Sequence, residues 1–267
     1  MEQPKNNLKI IKDNKARMLL PNALTLINVC IGLSSIKFAL DGKFELSIIA
    51  IIFAGIFDAL DGRVARLLKG TSQVGKELDS LADVISFGVA PAFIMYFWSL
   101  ESLGKPGWLL SMVYVVCVAL RLARFNVGSN AEPSWKDNYF EGVPSPAGGI
   151  LILMPLIFSL SEIDIVNVNY DIVVPIFFII ISFLLISKVP TFAFKKIVIP
   201  RRMTIFALFG IVLFFGMLLI YTFKVLVACC LIYIFLIPIG YLNYKKILKE
   251  KIINGENTDN EEVEDIL

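Results

Sequence analysis

The chain has 267 residues, 57% of them hydrophobic, with a mean hydropathy of +0.76, a composition that belongs to polytopic membrane proteins and excludes an ordinary soluble domain. The formal net charge of +2 points to no nucleic-acid partner, and the absence of histidine excludes an imidazole base, a His-ligated metal and any His-containing triad. The four cysteines, Cys30, Cys117, Cys229 and Cys230, lie in apolar segments without a C-x-x-C pair and read as small core or lipid-facing residues.

Residues 1 to 17 carry Lys5, Lys9, Lys12, Lys15 and Arg17, with Leu8, Ile10 and Ile11 between them. Both an amphipathic helix on the membrane surface and a disordered basic tail fit this pattern. No cleavable signal peptide is expected, because the first apolar run begins near Met18 and continues as a full-length span. That span is read from Leu19 to Leu40, opening at Pro21 near its start. Asn22, Thr25 and Asn28 repeat at i, i+3, i+6 and form a polar stripe. A helix cap with satisfied polar neighbours and a ligand-facing stripe are both consistent with it. Asp41-Gly42-Lys43 makes a turn into a second span, Glu45 to Leu68, and a third runs from Leu78 to Leu100.

The junction of the second and third spans carries the chemistry. It reads Asp58-Ala-Leu-Asp61-Gly62-Arg63-Val-Ala65-Arg66, then eight residues, then Gly75-Lys-Glu-Leu-Asp79-Ser-Leu-Ala-Asp83. Asp58 and Asp61 at i, i+3 share a helix face, as do Asp79 and Asp83 at i, i+4. Gly70, Thr71 and Ser72 suit a turn that brings the pairs together. Four carboxylates at one membrane level repel one another at low dielectric unless divalent cations sit between them, and oxygen-only ligands suit Mg²⁺, Mn²⁺ or Ca²⁺. Gly62 and Gly75 allow close approach of a ligand to the backbone. Ala65 is small, and Arg66 is placed to bind a phosphate or to pair with the acids. Small residues, cations and an arginine make a pyrophosphate site; a solvated ion-pair network is the alternative.

The third span continues Val84-Ile-Ser86-Phe87-Gly88-Val-Ala90-Pro91-Ala92, where Pro91 predicts a kink and Ser86, Gly88 and Ala92 predict close helix packing. A fourth span, Trp108 to Phe125, ends in Arg121-Leu-Ala-Arg124-Phe125-Asn126. Its two arginines at i, i+3 read either as side chains snorkelling to headgroups or as a site for carboxylate or phosphate. Residues 127 to 144 form a polar loop long enough to be functional. Ser145-Pro146-Ala147-Gly148-Gly149 opens a fifth span to Leu160, residues 161 to 170 are polar, and spans six to eight run from Val173 to Ser187, Met203 to Thr222 and Val225 to Tyr244. The predicted architecture is an all-α polytopic membrane bundle of eight helices. Its parts are a tail or interfacial helix at 1–18, a membrane domain at 19–247 and an acidic disordered tail at 248–267. No soluble domain and no internal repeat is evident.

The 58–83 stretch resembles the signature of the CDP-alcohol phosphotransferase family, D-x-x-D-G-x-x-A-R, eight residues, G-x-x-x-D-x-x-x-D. Asp58, Asp61, Gly62, Ala65, Arg66, Gly75, Asp79 and Asp83 occupy every fixed position. The resemblance implies a membrane enzyme that displaces CMP from a CDP-linked substrate with an alcohol, with a divalent metal, Mg²⁺ or Mn²⁺, as cofactor. It implies that Asp58, Asp61 and Asp79 ligate the metals and that Asp83 completes the site and is the general base. Family members show a P-N-x-x-T segment beside the nucleotide, which places Asn22 and Thr25, with Gly62, Ala65, Arg66 and Gly75, at the CDP moiety. The segments Ser86 to Pro91, Arg121 to Asn126 and Gly142 to Gly148 look like the phosphatidylserine synthase branch, which uses CDP-diacylglycerol and L-serine. Arg121, Arg124 and Asn126 are then expected to take the serine. Phosphate-bearing acceptors such as glycerol phosphate or inositol phosphate also require cations, so the arginines alone do not decide the acceptor. A homodimer is expected.

Basic residues set the orientation. The N-terminal tail has five, residues 188 to 202 have five and residues 245 to 251 have four, whereas the turns at Lys43, Lys105 and Lys224 have one each. Eight spans with both termini cytoplasmic satisfy this asymmetry and put the 58–83 stretch at the cytoplasmic face of the cell membrane. The reading from a different class is a cation transporter, since intramembrane carboxylates mark ion pathways. Against it, the acids gather at one face, and no charged residue lies in the middle of spans five to eight.

Overall fold

A computed structural model describes residues 7–68, 70, 72–128, 139–163, 168–192 and 203–253. The beginning of the basic tail, most of the long loop after Gly128, part of the polar 161–170 segment, residues 193–202 and the acidic tail after Ile253 lie outside the described residues. The protein is an all-α membrane helix bundle with one short strand pair. Four helical stretches among the described residues are long and apolar enough to cross a membrane: Leu19–Leu40, Gln73–Trp98, Lys105–Val127 and Thr222–Lys249. The chain divides into two compact units, Met1–Ala131 with Pro144–Ile186, and Glu132–Val143 with Ser187–Leu267.

The first unit begins with α1 (Asn7–Leu40), an unbroken helix, so Pro21 lies inside it instead of opening it. The turn at Asp41-Gly42-Lys43 forms as read, with Gly42 at φ +73°, a conformation that glycine adopts without a Cβ penalty. Exposed Asp41 pairs with Lys37, and that cation holds its carboxyl below the usual range. Helix α2 (Phe44–Leu67) returns along α1. Ser72 then caps α3 (Gln73–Asp83), its hydroxyl accepting from the Gly75 N–H at 3.0 Å.

The third predicted span is not one regular helix. After α3 the chain makes a π-helical turn, Val84–Val89, before α4 (Ala90–Trp98). Pro91 has no N–H to offer the Phe87 carbonyl one turn back, and the fully buried Tyr114 hydroxyl donates to that oxygen at 2.8 Å. The expected disturbance at Pro91 is therefore an irregular turn in place of a simple bend, with an outside donor restoring the lost hydrogen bond.

A 3₁₀ turn, Leu100–Leu103, leads to α5 (Lys105–Gly128). The fifth predicted span is two short helices, α6 (Ser145–Ile152) and α7 (Met154–Leu160). Pro155 in the first turn of α7 cannot donate to the preceding helix. Helix α8 (Tyr170–Ile186) starts earlier than Val173, with Asp171 in its first turn, where the helix dipole favours a carboxylate.

The core of this unit is built from Ile48 and Ile51 of α2, Phe87 of the π turn, Ile94 and Met95 of α4, Tyr114 and Val118 of α5, Leu156 of α7 and Phe178 of α8. The small residues read from the sequence do allow close approach. A Cβ on Gly88 would come 3.2 Å from Val118, and one on Gly32 of α1 would meet Ser86 Oγ at 2.5 Å. Gly149 of α6 lies so near the π turn that a Cβ would sit 3.1 Å from the Phe87 backbone.

The second unit contains β1 (Tyr139–Glu141) paired antiparallel with β2 (Pro190–Phe192), then α9 (Thr204–Ile220) and α10 (Thr222–Ile253). Strands this short are not legible in a sequence, because runs of three residues carry no periodic signal. Helix α9 exposes Ile205, Phe206, Leu208, Phe209, Ile211 and Val212 on all sides, as a helix bathed in lipid does. Helix α10 extends beyond the predicted end of the eighth span.

Gly149→Ala is expected to lower the melting temperature in detergent, at a cost of about 1–3 kcal/mol, because the Phe87 main chain cannot yield to the new methyl. Gly55→Ala is the control. Its Cβ would meet the Phe87 ring at an ordinary 3.7 Å, and alanine gains up to about 1 kcal/mol of helix propensity, so its melting temperature is expected to stay level or rise.

Candidate active site

The two aspartate pairs meet as their spacing requires. Asp58 and Asp61 project from the last turns of α2, and Asp79 from α3 across the Ser72-capped turn. One carboxylate oxygen from each of Asp58, Asp61 and Asp79 lies within 4.8 Å of the others. Two ligands on opposite sides of a cation are separated by at most twice the metal–oxygen distance, about 4.2 Å for Mg²⁺ and about 4.6–5.2 Å for Ca²⁺. Three hard oxygen donors at this spacing fit a divalent cation.

Thr25 of α1 supports the group. Its hydroxyl lies 2.7 Å from Asp61 Oδ2 and 3.1 Å from the Pro21 carbonyl. The shorter, charge-assisted bond fixes the orientation of the buried Asp61 carboxylate.

Beside the cluster is a cavity of about 140 Å³ lined by Pro21, Asn22, Thr25, Asp61, Gly62, Ala65, Gly70, Ser72, Gly75, Lys76 and Asp79. Five of the six residues assigned to the CDP moiety, namely Asn22, Thr25, Gly62, Ala65 and Gly75, therefore line one space with two of the carboxylates. A Cβ at Gly62 would meet nothing within 4 Å, so its missing side chain leaves the cavity open. A Cβ at Gly75 would stand 3.0 Å from Asn22 Oδ1, so glycine lets α3 approach the Asn22 amide. Arg66 is not among the lining residues. It is exposed, and its Nε donates to the Gly62 carbonyl at 3.0 Å. Lys76, Ser72 and Gly70 line the cavity without having been singled out. Lys76 brings a cation to a space bounded by acids, but a lone lysine after a motif glycine gives no signal in a sequence.

Asp83 adjoins this group beside Asp58. Its Oδ2 accepts from the Ser145 hydroxyl at 3.2 Å, and its buried Oδ1 accepts from no donor among the described residues. Ser145 Oγ accepts in turn from Arg121 at 3.0 Å. The three residues assigned to the acceptor are thus held differently. Buried Arg121 reaches Asp83 through Ser145. Exposed Arg124 donates to the Ile186 carbonyl at the end of α8, at 2.8 Å, as a helix C-cap does. Asn126 donates to Ser80 Oγ at 2.9 Å and ties α5 to α3. Ser145 was missed as a site residue; its signal was a lone hydroxyl opening an apolar helix. Asn28, the third member of the polar stripe on α1, is fully buried, and neither side-chain polar atom is bonded among the described residues.

The sequence model for CDP-alcohol phosphatidyltransferases matches residues 18–194. The chain belongs to the CDP-alcohol phosphatidyltransferase family. It is 44% identical over 137 residues to the CDP-diacylglycerol–serine O-phosphatidyltransferase of Mycobacterium leprae, an alignment covering 51% of this chain and 45% of that protein. The proteins of the same name from Helicobacter pylori and Bacillus subtilis are 35% identical over 179 residues and 34% identical over 182 residues. These alignments cover 67% and 66% of this chain, and 74% and 92% of the relatives. The chain spans about half the length of the mycobacterial relatives it matches.

Thr25→Val, which removes the donor to Asp61, is expected to weaken Mn²⁺ binding about 10–100-fold, the usual effect of losing an outer partner of a metal ligand. Asp79→Asn is expected to weaken it at least as much. Electron paramagnetic resonance of free Mn²⁺ titrated into purified protein measures both.

Proposed function

We propose that the protein transfers a phosphatidyl group from CDP-diacylglycerol to the hydroxyl of L-serine, forming phosphatidylserine and releasing CMP. The observation that carries this reading is the meeting of Asp58, Asp61 and Asp79 beside the cavity lined by the family's glycines and the Asn22–Thr25 segment. The acceptor follows from the relatives, which bear the name CDP-diacylglycerol–serine O-phosphatidyltransferase.

Asp58, Asp61 and Asp79 hold Mg²⁺ or Mn²⁺, with Asp83 completing the set. A bound cation supplies charge neutralisation for the pyrophosphate and the departing CMP. Asn22, Gly62, Ala65 and Gly75 admit the nucleotide, and Lys76 and Arg66 face its negative charge from the rim. Asp83 removes the proton from the serine hydroxyl. The serine oxygen forms a bond to the phosphorus that bears the diacylglycerol, the bond from that phosphorus to the CMP oxygen breaks, and CMP leaves with the electron pair. The attack is direct, since no histidine exists and no cysteine lies among the site residues. Arg121, buried next to Ser145, takes the serine carboxylate, while Arg124 and Asn126 brace the walls of the acceptor side. The basic-residue asymmetry supports eight spans with both termini and the site on the cytoplasmic side.

The direct test incubates purified protein and CDP-diacylglycerol with L-serine, glycerol 3-phosphate or inositol phosphate and measures CMP and the lipid product. Serine-dependent CMP release that stops on exhaustive EDTA treatment and returns with Mg²⁺ or Mn²⁺ is expected; release only with a phosphate-bearing alcohol would reassign the acceptor. Asp83→Asn is expected to reduce kcat by about 10²–10⁴-fold, the usual contribution of a general base, while CDP-diacylglycerol still binds. Arg121→Ala is expected to raise the serine KM more than the CDP-diacylglycerol KM.

Orientation is checked with a single cysteine at the exposed Glu77 in a background lacking the four native cysteines. A membrane-impermeant maleimide is expected to label it only after the cells are opened. Labelling of intact cells would place the site on the outer face.

A further inference from the structure

We propose that Ser145 is a positioning residue for the reaction proposed above. It holds the Asp83 carboxylate by Oδ2 and so presents Oδ1 to the acceptor hydroxyl. The inference rests on that reading and extends it to a residue outside the family signature.

The hydrogen-bond chemistry gives the contact a direction. Arginine is a donor only, and a serine hydroxyl has one proton to give and two lone pairs to receive. Arg121 donates to Ser145 Oγ at 3.0 Å and occupies one lone pair. The Ser145 proton is then free to point at Asp83 Oδ2, 3.2 Å away, where an ionised carboxylate can only accept. The chain runs Arg121 to Ser145 to Asp83 and does not reverse. It ends on a carboxylate whose second oxygen, Oδ1, is buried and accepts no hydrogen bond from a donor among the described residues, with the Asp58 carboxyl beside it. A buried acceptor left unpaired is costly, and a substrate hydroxyl arriving there relieves that cost while presenting its proton to the base.

Asp83 needs such a holder. It is the last residue of α3, where the regular helix gives way to the π turn, and the terminal torsion of an aspartate is broad and only weakly restricted by its own backbone. Ser145, by contrast, is fixed. It is 1% exposed and lies between Pro144 and Pro146 at the first position of α6. Gly148 and Gly149 let that helix close on Leu185 of α8 and on the Phe87 backbone. The rigid element therefore orients the carboxylate at the irregular one. Arg121 keeps the serine proton aimed, in addition to its role toward the acceptor.

The test compares Ser145→Ala, Ser145→Thr, Asp83→Asn and the Ser145→Ala/Asp83→Asn double variant in full-length protein. Steady-state CMP release is read against both substrates, with melting temperature and CDP-diacylglycerol binding measured alongside. Ser145→Ala is expected to lower kcat about 10-fold or more, as loss of a hydrogen bond to a charged group does, with CDP-diacylglycerol affinity unchanged. Ser145→Thr, which keeps the hydroxyl, is expected to recover most of kcat. The double variant is expected to be no slower than Asp83→Asn alone, because a residue acting only through Asp83 has nothing left to position. Wild-type kcat in Ser145→Ala, or losses that multiply in the double variant, would overturn the proposal. If Ser145→Ala does not fold, Ser145→Cys, of similar size with a weak donor, carries the same comparison. The wild-type acceptor profile separates this outcome from failure of the reaction itself. Turnover with another alcohol changes the acceptor and leaves the Ser145 ratios to be read with that alcohol. No CMP release with any alcohol rejects the reaction and this role together.

Discussion

Everything in the first unit accommodates one electrostatic constraint, the convergence of four carboxylates where two apolar helices turn. Two unit charges 4.8 Å apart repel by about 3.5 kcal/mol at an effective dielectric of about 20, and Asp58, Asp61 and Asp79 form three such pairs. Among the described residues no lysine or arginine forms an ion pair with Asp58, Asp61 or Asp79, whereas Lys37 pairs with Asp41 at the α1–α2 turn. Thr25 offers one hydroxyl to Asp61, which orients a carboxylate but does not neutralise it. A set of acids arranged at ligand spacing, with no ion pair to it among the described residues, is a set that a divalent cation stabilises. A metal held there would be part of the folded state's charge balance as well as of the proposed reaction.

Helix packing carries that constraint outward. The aspartates can meet only if α2 and α3 are held against α1, and α1 lies along α2 with Gly32 admitting Ser86 of the π turn. The π turn is itself irregular backbone buried in the bundle, tolerable at membrane depth only if its freed polar groups find partners. Tyr114 meets that need at the Phe87 carbonyl, and the Ser86 hydroxyl, donating to the Asn28 carbonyl, ties the turn to α1. The glycines of α1 and α6 close on the same turn from both sides, so the segment after Asp83 is confined although it is not a regular helix. Confinement of this kind lets a carboxylate at a helix irregularity keep one orientation.

The parts of this arrangement that were legible in the sequence are those written in local spacing. The i, i+3 and i, i+4 aspartates, the small turn residues and the long apolar runs gave the carboxylate cluster and most of the helices, because helical periodicity converts spacing into facing directly. The residues that line the cavity came instead from the resemblance to the family, since the spacing of Asn22 and Thr25 on α1 also fits a helix cap. What could not be read depends on contacts between segments far apart in the chain. Ser145 and Asp83 are 62 residues apart, and a serine between two prolines looks the same whether it caps a helix or grips a base. Arg121 and Arg124 share a face and a composition, yet one is buried toward Asp83 and the other caps α8, a difference set by where α6 and α8 pack. The break between α6 and α7 was visible only as Pro155. Three-residue strands are below the length at which any periodicity exists.

The two halves of the site are built from different elements, and α3 joins them. Asp79 faces the cavity of α1 and α2, while Asp83, one turn or about 6 Å further along the helix, faces Ser145 of α6 and Arg121 of α5. In the proposed reaction the first half handles the nucleotide and the cation, and the second handles the alcohol. A helix is well suited to link them because its rise fixes the offset between the two carboxylates regardless of what packs on either side. The signature residues occupy only α2, α3 and the turn between them, so they identify the chemistry of the donor side. Arg121 and Ser145 reach Asp83 from helices outside the signature, and in the proposed reaction that is the side on which the acceptor is held.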